Sequence, residues 1–364
     1  AFEMPKKDFG AFMICASHTD SPSFKLKPDF EINADGCIKL SVEGYGGMIM
    51  SSWLDRPLSI SGRIVTAKNG KVETKLVNID RDLLVIPSLA IHMSRDINKG
   101  YEFNIRRDMC PIASEKNGRI EDIIAENVGV DKEEILGFDL SLYNRMRGTV
   151  LGADGEYFSA PRIDDLQCMY STLEGFLNSE SDDNVTVFAA FDNEEVGSGT
   201  KQGAKSSFLR DVLERICNNS ETYKRAVAKS FMLSCDNAHA VHPNFADKSD
   251  GTNRVYMNGG IVIKYNANQR YTTDAVSEAV VKYVCKNAGV PYQMYANRSD
   301  IPGGSTLGNL SNEKVSLNTA DIGLAQLAMH SSYETAGSRD TEYMVKMIKE
   351  FYKTEIVLLM LYSA

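Results

Sequence analysis

The stretch that most constrains the fold runs from Asn184 to Gly199, Asn-Val-Thr-Val-Phe-Ala-Ala-Phe-Asp-Asn-Glu-Glu-Val-Gly-Ser-Gly. Val185 to Phe191 is short, apolar, β-rich and uncharged, which predicts a strand buried in a parallel sheet. The run stops on Asp192, Asn193, Glu194 and Glu195. Adjacent carboxylates at the end of a buried strand are costly unless something cationic meets them. Open α/β sheets bind their ligands at the carboxyl ends of strands. On this reading Glu195 holds a metal ion and Glu194 acts as a general base. The competing reading is an acidic strand-to-helix turn with Glu side chains near a helix N-terminus.

The same punctuation recurs. Ala11 to Ala16 predicts a buried strand that runs into Ser17-His18-Thr19-Asp20-Ser21-Pro22. A neutral imidazole there binds an ion, and the Asp20 carboxylate orients the ring. Asp164 and Asp165 open a helix predicted over 166–177. Asp164 is assigned to the metal and Asp165 to capping or support. A strand over 230–234 ends on Cys235 and Asp236, the latter a third hard ligand, followed by His239 and His242. Those two histidines are expected on the substrate side or as supports, or else as hydrogen-bonded loop residues. An apolar run over 322–329, with spacing that fits strand or helix, ends at His330.

Between the first two motifs the texture changes. Residues 24–101 alternate in short segments, and Lys68-Asn69-Gly70-Lys71 is a hairpin signal. A helix is predicted over 121–136 and strand again over 140–151. The expected fold is α/β, a mixed or parallel central sheet flanked by helices, in a catalytic domain of residues 1–24 and 154–364. An antiparallel β domain, 25–153, is inserted and carries His92. Further along, helices are predicted over 207–217, 273–287 and 341–361, and strands over 259–265, which bears Lys264, and 292–296. The glycine-rich loop 298–308, with Gly304, would let a ligand approach the backbone, and no phosphate-binding fingerprint surrounds it.

Composition narrows the function. The chain has 364 residues, 43% hydrophobic, enough for a large core, and a net charge of −9 that argues against nucleic acid as the main partner. No apolar run is long enough to span a bilayer; the most apolar, Ile356 to Tyr362, is too short. Seven scattered cysteines without a CxxC pair fit reduced thiols in a cytoplasmic protein. The core-like strand so near Ala1 suggests that a segment precedes it.

His18, Asp164, Glu195, Asp236 and His330 are too many ligands for one zinc ion, which takes about three protein ligands at a catalytic site. They suit two divalent ions if one carboxylate bridges, each ion taking one His, one terminal carboxylate and the shared Asp164. Two-metal hydrolases hold their ions ~3.5–4 Å apart around a shared water. Glu194 would take that water's proton. The expected reaction is peptide or amide hydrolysis.

The motifs Ser-His-Thr-Asp-Ser-Pro at 17–22, Pro-Arg-Ile-Asp-Asp at 161–165, Asp-Asn-Glu-Glu-Val-Gly-Ser at 192–198, Asp-Asn-Ala-His-Ala-Val-His-Pro-Asn at 236–244 and Met-His-Ser at 329–331 resemble the M18 metallo-aminopeptidases, the aspartyl aminopeptidase family. The resemblance covers nearly the whole chain. It implies His18, Asp164 and Asp236 on one ion and Asp164, Glu195 and His330 on the other, zinc first with cobalt or manganese as alternatives. It implies Glu194 as base, peptide substrates, and Lys264 in a pocket for acidic N-terminal side chains. It implies that the inserted domain dimerises, that dimers build a tetrahedral dodecamer, and that His92 reaches a partner subunit's site. One departure is Asp165, where many relatives carry Asn. The alternatives are preference for neutral N-terminal residues, a co-catalytic deacylase or carboxypeptidase, and a non-enzymatic shell protein.

Overall fold

A computed structural model of the chain describes residues 1–68, 70–116 and 118–357. They form two compact units: Ala1–Ser21, Thr149–Met329 and the residues from Glu334 on make the first, and Pro22–Gly148 with His330–Tyr333 the second.

The first unit is built on a seven-stranded mixed sheet, in the order Phe2–Glu3, Val185–Phe191, Phe12–His18, Phe231–Cys235, Asn318–Gly323, Ile261–Tyr265, Tyr292–Ala296. The four strands from Val185–Phe191 to Asn318–Gly323 are parallel to one another. Ile261–Tyr265 runs against Asn318–Gly323 and alongside Tyr292–Ala296. These strands lack polar alternation because both faces are covered. Phe12, Ile14 and Ala16 point into one core, with Leu209 and Leu213 of the helix Phe208–Ile216. Met13 and Cys15 point into the other, with Phe176, Val281, Met347 and Phe351 from the helices Ile163–Leu177, Ala275–Ala288 and Asp340–Lys353. A second, five-stranded sheet orders Ala238–His239, Ala325–Leu327, Glu334–Gly337, Tyr157–Ala160 and Thr149–Leu151. The 322–329 run is therefore not helical: Ile322 and Gly323 end the strand Asn318–Gly323 of the first sheet, and Ala325–Leu327 joins the second.

The second unit is a six-stranded antiparallel sheet, in the order Lys71–Asn78, Leu58–Lys68, Ile135–Asn144, Ser23–Ala34, Cys37–Tyr45, Ile112–Glu115. One face is packed by Phe24, Leu40, Leu58, Ile60, Ile64 and Leu140, with Ile120 and Ile124 of the helix Ile120–Val128. Lys68 pairs with Lys71 across the expected hairpin; its Asn69 lies outside the described residues.

Some boundaries differ from expectation. The helix predicted over 121–136 stops at Val128. Gly129 caps it in the left-handed region at φ 67°, its N–H shared by the Ala125 and Glu126 carbonyls, and Leu136 lies in the next strand. The strand predicted over 140–151 is two, Ile135–Asn144 and Thr149–Leu151, in different sheets. The C-terminal helix predicted to 361 ends at Lys353, and Thr354 is extended; 358–361 lie outside the described residues. The helix Ser220–Lys229 is new, capped by the Asn219 side chain on the Thr222 N–H at 2.9 Å. Among the described residues no helix is long and apolar enough to cross a membrane.

Helices Ile163–Leu177 and Asp340–Lys353 touch where Gly175 leaves room for Ile348: a Cβ at Gly175 would collide with Ile348 Cγ2. Overpacking of about 1–3 kcal/mol outweighs the ~1 kcal/mol that Ala gains over Gly in a helix. Gly175→Ala should therefore shift the urea midpoint downward by an amount worth about 1–2 kcal/mol, with the m-value unchanged. A midpoint at or above that of the parent chain would contradict this packing.

Candidate metal centre

Three parallel strands of the first unit deliver ligands at their carboxyl ends. Phe191 lies opposite His18, and Ser234 opposite Ala16, so two residues further on Asp236 comes level with His18. Glu194 and Glu195 follow Phe191 on a short turn, with Asn193 at φ 59° and Gly197 at φ 92°. The Asn193 carbonyl oxygen Oδ1 holds that turn by accepting from Thr200 Oγ1 and Gln202 Nε2, both at 2.8 Å. Asp164 and Asp165 sit in the first turn of Ile163–Leu177, but both have non-helical φ/ψ, so the regular helix begins at Leu166 as expected. The peptide between them is cis.

His18 is the hub, 1% exposed. Its Nε2 lies 3.4 Å from Asp164 Oδ1 and 3.9 Å from Asp236 Oδ1. Its Nδ1 lies 3.1 Å from the Asp20 carbonyl and 3.4 Å from Asp20 Oδ1. Asp20 also fastens the glutamate turn, its Oδ1 accepting the Glu194 N–H at 3.0 Å and its Oδ2 the Glu195 N–H at 3.1 Å. One carboxylate thus faces the ring and holds both Glu backbones. Asp165 does not cap the helix. It is fully buried, and its Oδ2 accepts the His18 backbone N–H at 3.2 Å. Ligand atoms of His18, Asp164, Asp165 and Asp236 lie within 4.8 Å of one another, as do those of His18, Glu194 and Glu195.

So many acids in one dry place distort their proton affinities. Burial, followed by the charge of Asp236, pushes Glu194 up to about 8. Burial, followed by the charge of Asp164, pushes Glu195 up to about 10. Burial also raises Asp165 well above the carboxylate range. Burial alone would lower His18, but Asp164, Asp20 and Asp236 outweigh it and hold the imidazole well above its ordinary value. An imidazole nitrogen among hard carboxylate oxygens is a donor set that suits zinc and similar divalent cations. A cation among them would offset the crowding that burial imposes.

Lys264 is buried, not a strand-end lysine in solvent. Its Nζ donates to the Asn237 carbonyl at 2.8 Å and lies 3.6 Å from Asp236 Oδ2. His242 Nδ1 accepts the Asn244 N–H at 3.2 Å within its own loop, and His239 is exposed. A Cβ at Gly304 would meet open space. His92 is exposed on a turn of the second unit. His330 belongs to the 330–333 stretch of that unit, at φ 66°, its carbonyl accepting the Ile49 N–H at 3.0 Å. Sequence reading passed over Asn237, Gln326 and Glu334, all buried at the back of the ligand cluster. Their one signal was that Gln326 and Glu334 are polar residues in or beside an apolar run.

An α/β sheet whose strand ends gather an imidazole and several carboxylates is the frame of a metallohydrolase. The family model described as "Aminopeptidase I zinc metalloprotease (M18)" matches residues 1–352. The chain is 46% identical over 354 residues to "Probable M18 family aminopeptidase 2" of Clostridium acetobutylicum, covering 94% of this chain and 82% of that one. Among solved structures, "Cryo-EM structure of the Ape4 and Nbr1 complex" is similar with a TM-score of 0.93 at 34% identity, covering 96% of this chain and 73% of that one. "Structure of S. cerevesiae mApe1 dodecamer" is similar with a TM-score of 0.83 at 28% identity, covering 96% and 82%. The chain belongs to the M18 family of metallo-aminopeptidases.

The crowded acids make a prediction for metal-free protein. Glu194 and Glu195 keep protons that an unfolded chain releases above about 4.5, and His18 keeps one above 6.5. The native state then binds more protons than the unfolded state, so stability falls as pH rises through Glu194 near 8 toward Glu195 near 10. The thermal midpoint should decline between about pH 5 and about pH 9, and saturating zinc should flatten that decline. A midpoint level or rising over this range without metal would refute the proton inventory.

Proposed function

We propose that the chain is a two-metal aminopeptidase that removes acidic N-terminal residues, Asp or Glu, from peptides. What carries the reading is the convergence of His18, Asp164, Glu194, Glu195 and Asp236 at the carboxyl ends of adjacent strands, with His18 1% exposed. His18 and Asp236 would hold one ion and Glu195 and His330 the other, with Asp164 shared. His330 enters on the Met-His-Ser motif at 329–331. When bound, the ions supply Lewis acidity toward the scissile carbonyl and a more acidic water at neutral pH. Glu194 takes the proton of the attacking water and passes it to the leaving amine. Asp20 keeps Glu194 and Glu195 in register by holding both backbone N–H groups. Zinc is the first choice of ion, in keeping with the description of the family model.

Glu194→Gln should keep both ions while turnover falls at least about a hundredfold, the usual scale of general-base loss. Glu195→Gln should lose metal as well. Elemental analysis beside steady-state kinetics separates the two, and equal metal loss in both variants would reverse the assignment.

For specificity, Lys264 places a cation 3.6 Å from Asp236, and a substrate carboxylate would compete with Asp236 for it. His242 and Gly304 are the other proposed substrate contacts. A panel of N-terminal aminoacyl substrates should show Asp and Glu cleaved faster than Leu, and no cleavage when the α-amine is blocked. Lys264→Ala should reduce cleavage of acidic substrates far more than of Leu. Preference of the parent enzyme for Leu would establish the neutral-residue alternative.

The mApe1 relative is a dodecamer by its description, and we extend a dimer-based dodecamer to this chain. The second unit would dimerise and His92 would reach a partner's site. In support, the stretch bearing His92 leaves Leu89, Ile91 and Met93 exposed, apolar surface that a second copy would cover. A cytoplasmic home agrees with seven free cysteines.

A further inference from the structure

Behind the ligand cluster, within the first unit, lies a closed ring of buried polar groups. The peptide unit between Ile163 and Asp164 is held at both ends. Its N–H donates to Glu334 Oε2 at 3.0 Å, and its carbonyl accepts from Asn237 Nδ2 at 3.3 Å. The two holders are themselves joined. Asn237 Nδ2 donates to Gln326 Oε1 at 2.7 Å, and Gln326 Nε2 donates to Glu334 Oε1 at 3.4 Å. Asn237, Gln326 and Glu334 are each no more than 3% exposed.

Asn237 directly follows Asp236 in the chain. The ring therefore ties the backbone that presents Asp164 to the backbone that presents Asp236. We infer that Gln326, Asn237 and Glu334 are positioning residues that set the distance between these two carboxylates and thereby the affinity of the centre for its metal. This rests on Asp164 and Asp236 being metal ligands, as proposed above.

The physical argument is one of preorganisation. A carboxylate whose backbone can drift must be drawn into place by the ion, and that ordering is subtracted from the binding free energy. Outer partners of metal ligands typically change affinity about 10–100-fold when removed. Gln326 is the link to cut, because it touches neither ligand and serves only to join Asn237 to Glu334 at these two contacts. Glu334 is needed as an acceptor: without it the Asp164 N–H would be left buried and unsatisfied.

The test is zinc affinity, measured by chelator competition on full-length protein stripped of metal. Gln326→Met keeps the length of the side chain and removes both hydrogen-bonding arms. It should weaken zinc binding at least about tenfold. Thr319→Val, which removes a buried hydroxyl from Asn318–Gly323 of the seven-stranded sheet, should leave zinc affinity unchanged even as it lowers the melting temperature. If Gln326→Met does not fold, Gln326→Ser, which leaves room for water, is judged by the same criterion. Zinc affinity equal to the parent's in the folded Gln326 variant overturns the positioning role. So does an equal loss in Thr319→Val, which would trace the effect to instability alone. Asp236→Ala separates the two levels of the argument. If it binds zinc as tightly as the parent, the ligand assignment itself fails; if it loses zinc while the Gln326 variant does not, only the ring is refuted.

Discussion

The first unit depends on one electrostatic constraint, the burial of more carboxyl groups at the carboxyl ends of its strands than could all carry charge together. Asp20, Asp164 and Asp236 face the His18 imidazole, Asp165, Glu194 and Glu195 crowd beside them, and Lys264 lies 3.6 Å from Asp236. Such a group of charges is tolerated when a rigid frame holds it and a counter-charge arrives from outside. The two-faced parallel sheet provides the frame. Its strands are anchored in cores on both sides, so their ends cannot splay to relieve repulsion.

Backbone amides take part of the electrostatic load. The Asp20 carboxylate accepts two of them from the glutamate turn, Asp165 accepts one from His18, and Glu334 accepts one from Asp164. Each of these contacts also fixes where a neighbouring side chain points. The same acids that burden the site with charge thus define its geometry, and charge and shape are solved together.

What was legible in the sequence follows from this physics. The run 185–191 has the bounds of its strand, because an uncharged, β-rich stretch that halts on charge has few other solutions, and the short run 292–296 also has the bounds of its strand. His18, Glu194, Glu195 and Asp236 could be picked out because hard ligands at strand ends stand against an apolar background, and Asp164 because it is one of an Asp pair opening a helix. Helix ends were harder. The end of Ile120–Val128 depends on Gly129, whose left-handed turn competes with a polar sequence equally able to continue as helix. The ring of Asn237, Gln326 and Glu334 had no periodic signature. It is assembled from three segments through single amide and carboxylate contacts, and nothing local says that an isolated Gln in a strand will meet an Asn far along the chain. Of the two roles open to Asp165, cap or support, the sequence could not choose for the same reason: its partner is the backbone of His18, distant in sequence.

The strand order has a consequence for synthesis. Phe12–His18 lies in the middle of the sheet, between Val185–Phe191 and Phe231–Cys235. At roughly 5–20 residues per second, translation leaves that strand without either neighbour for on the order of ten to thirty seconds. For that interval a largely apolar segment with two bare edges is open to wrong partners. The nascent chain must therefore rely on local collapse or on chaperones until its middle third emerges, and ribosome pausing within the intervening β unit would lengthen the most aggregation-prone stage of its life.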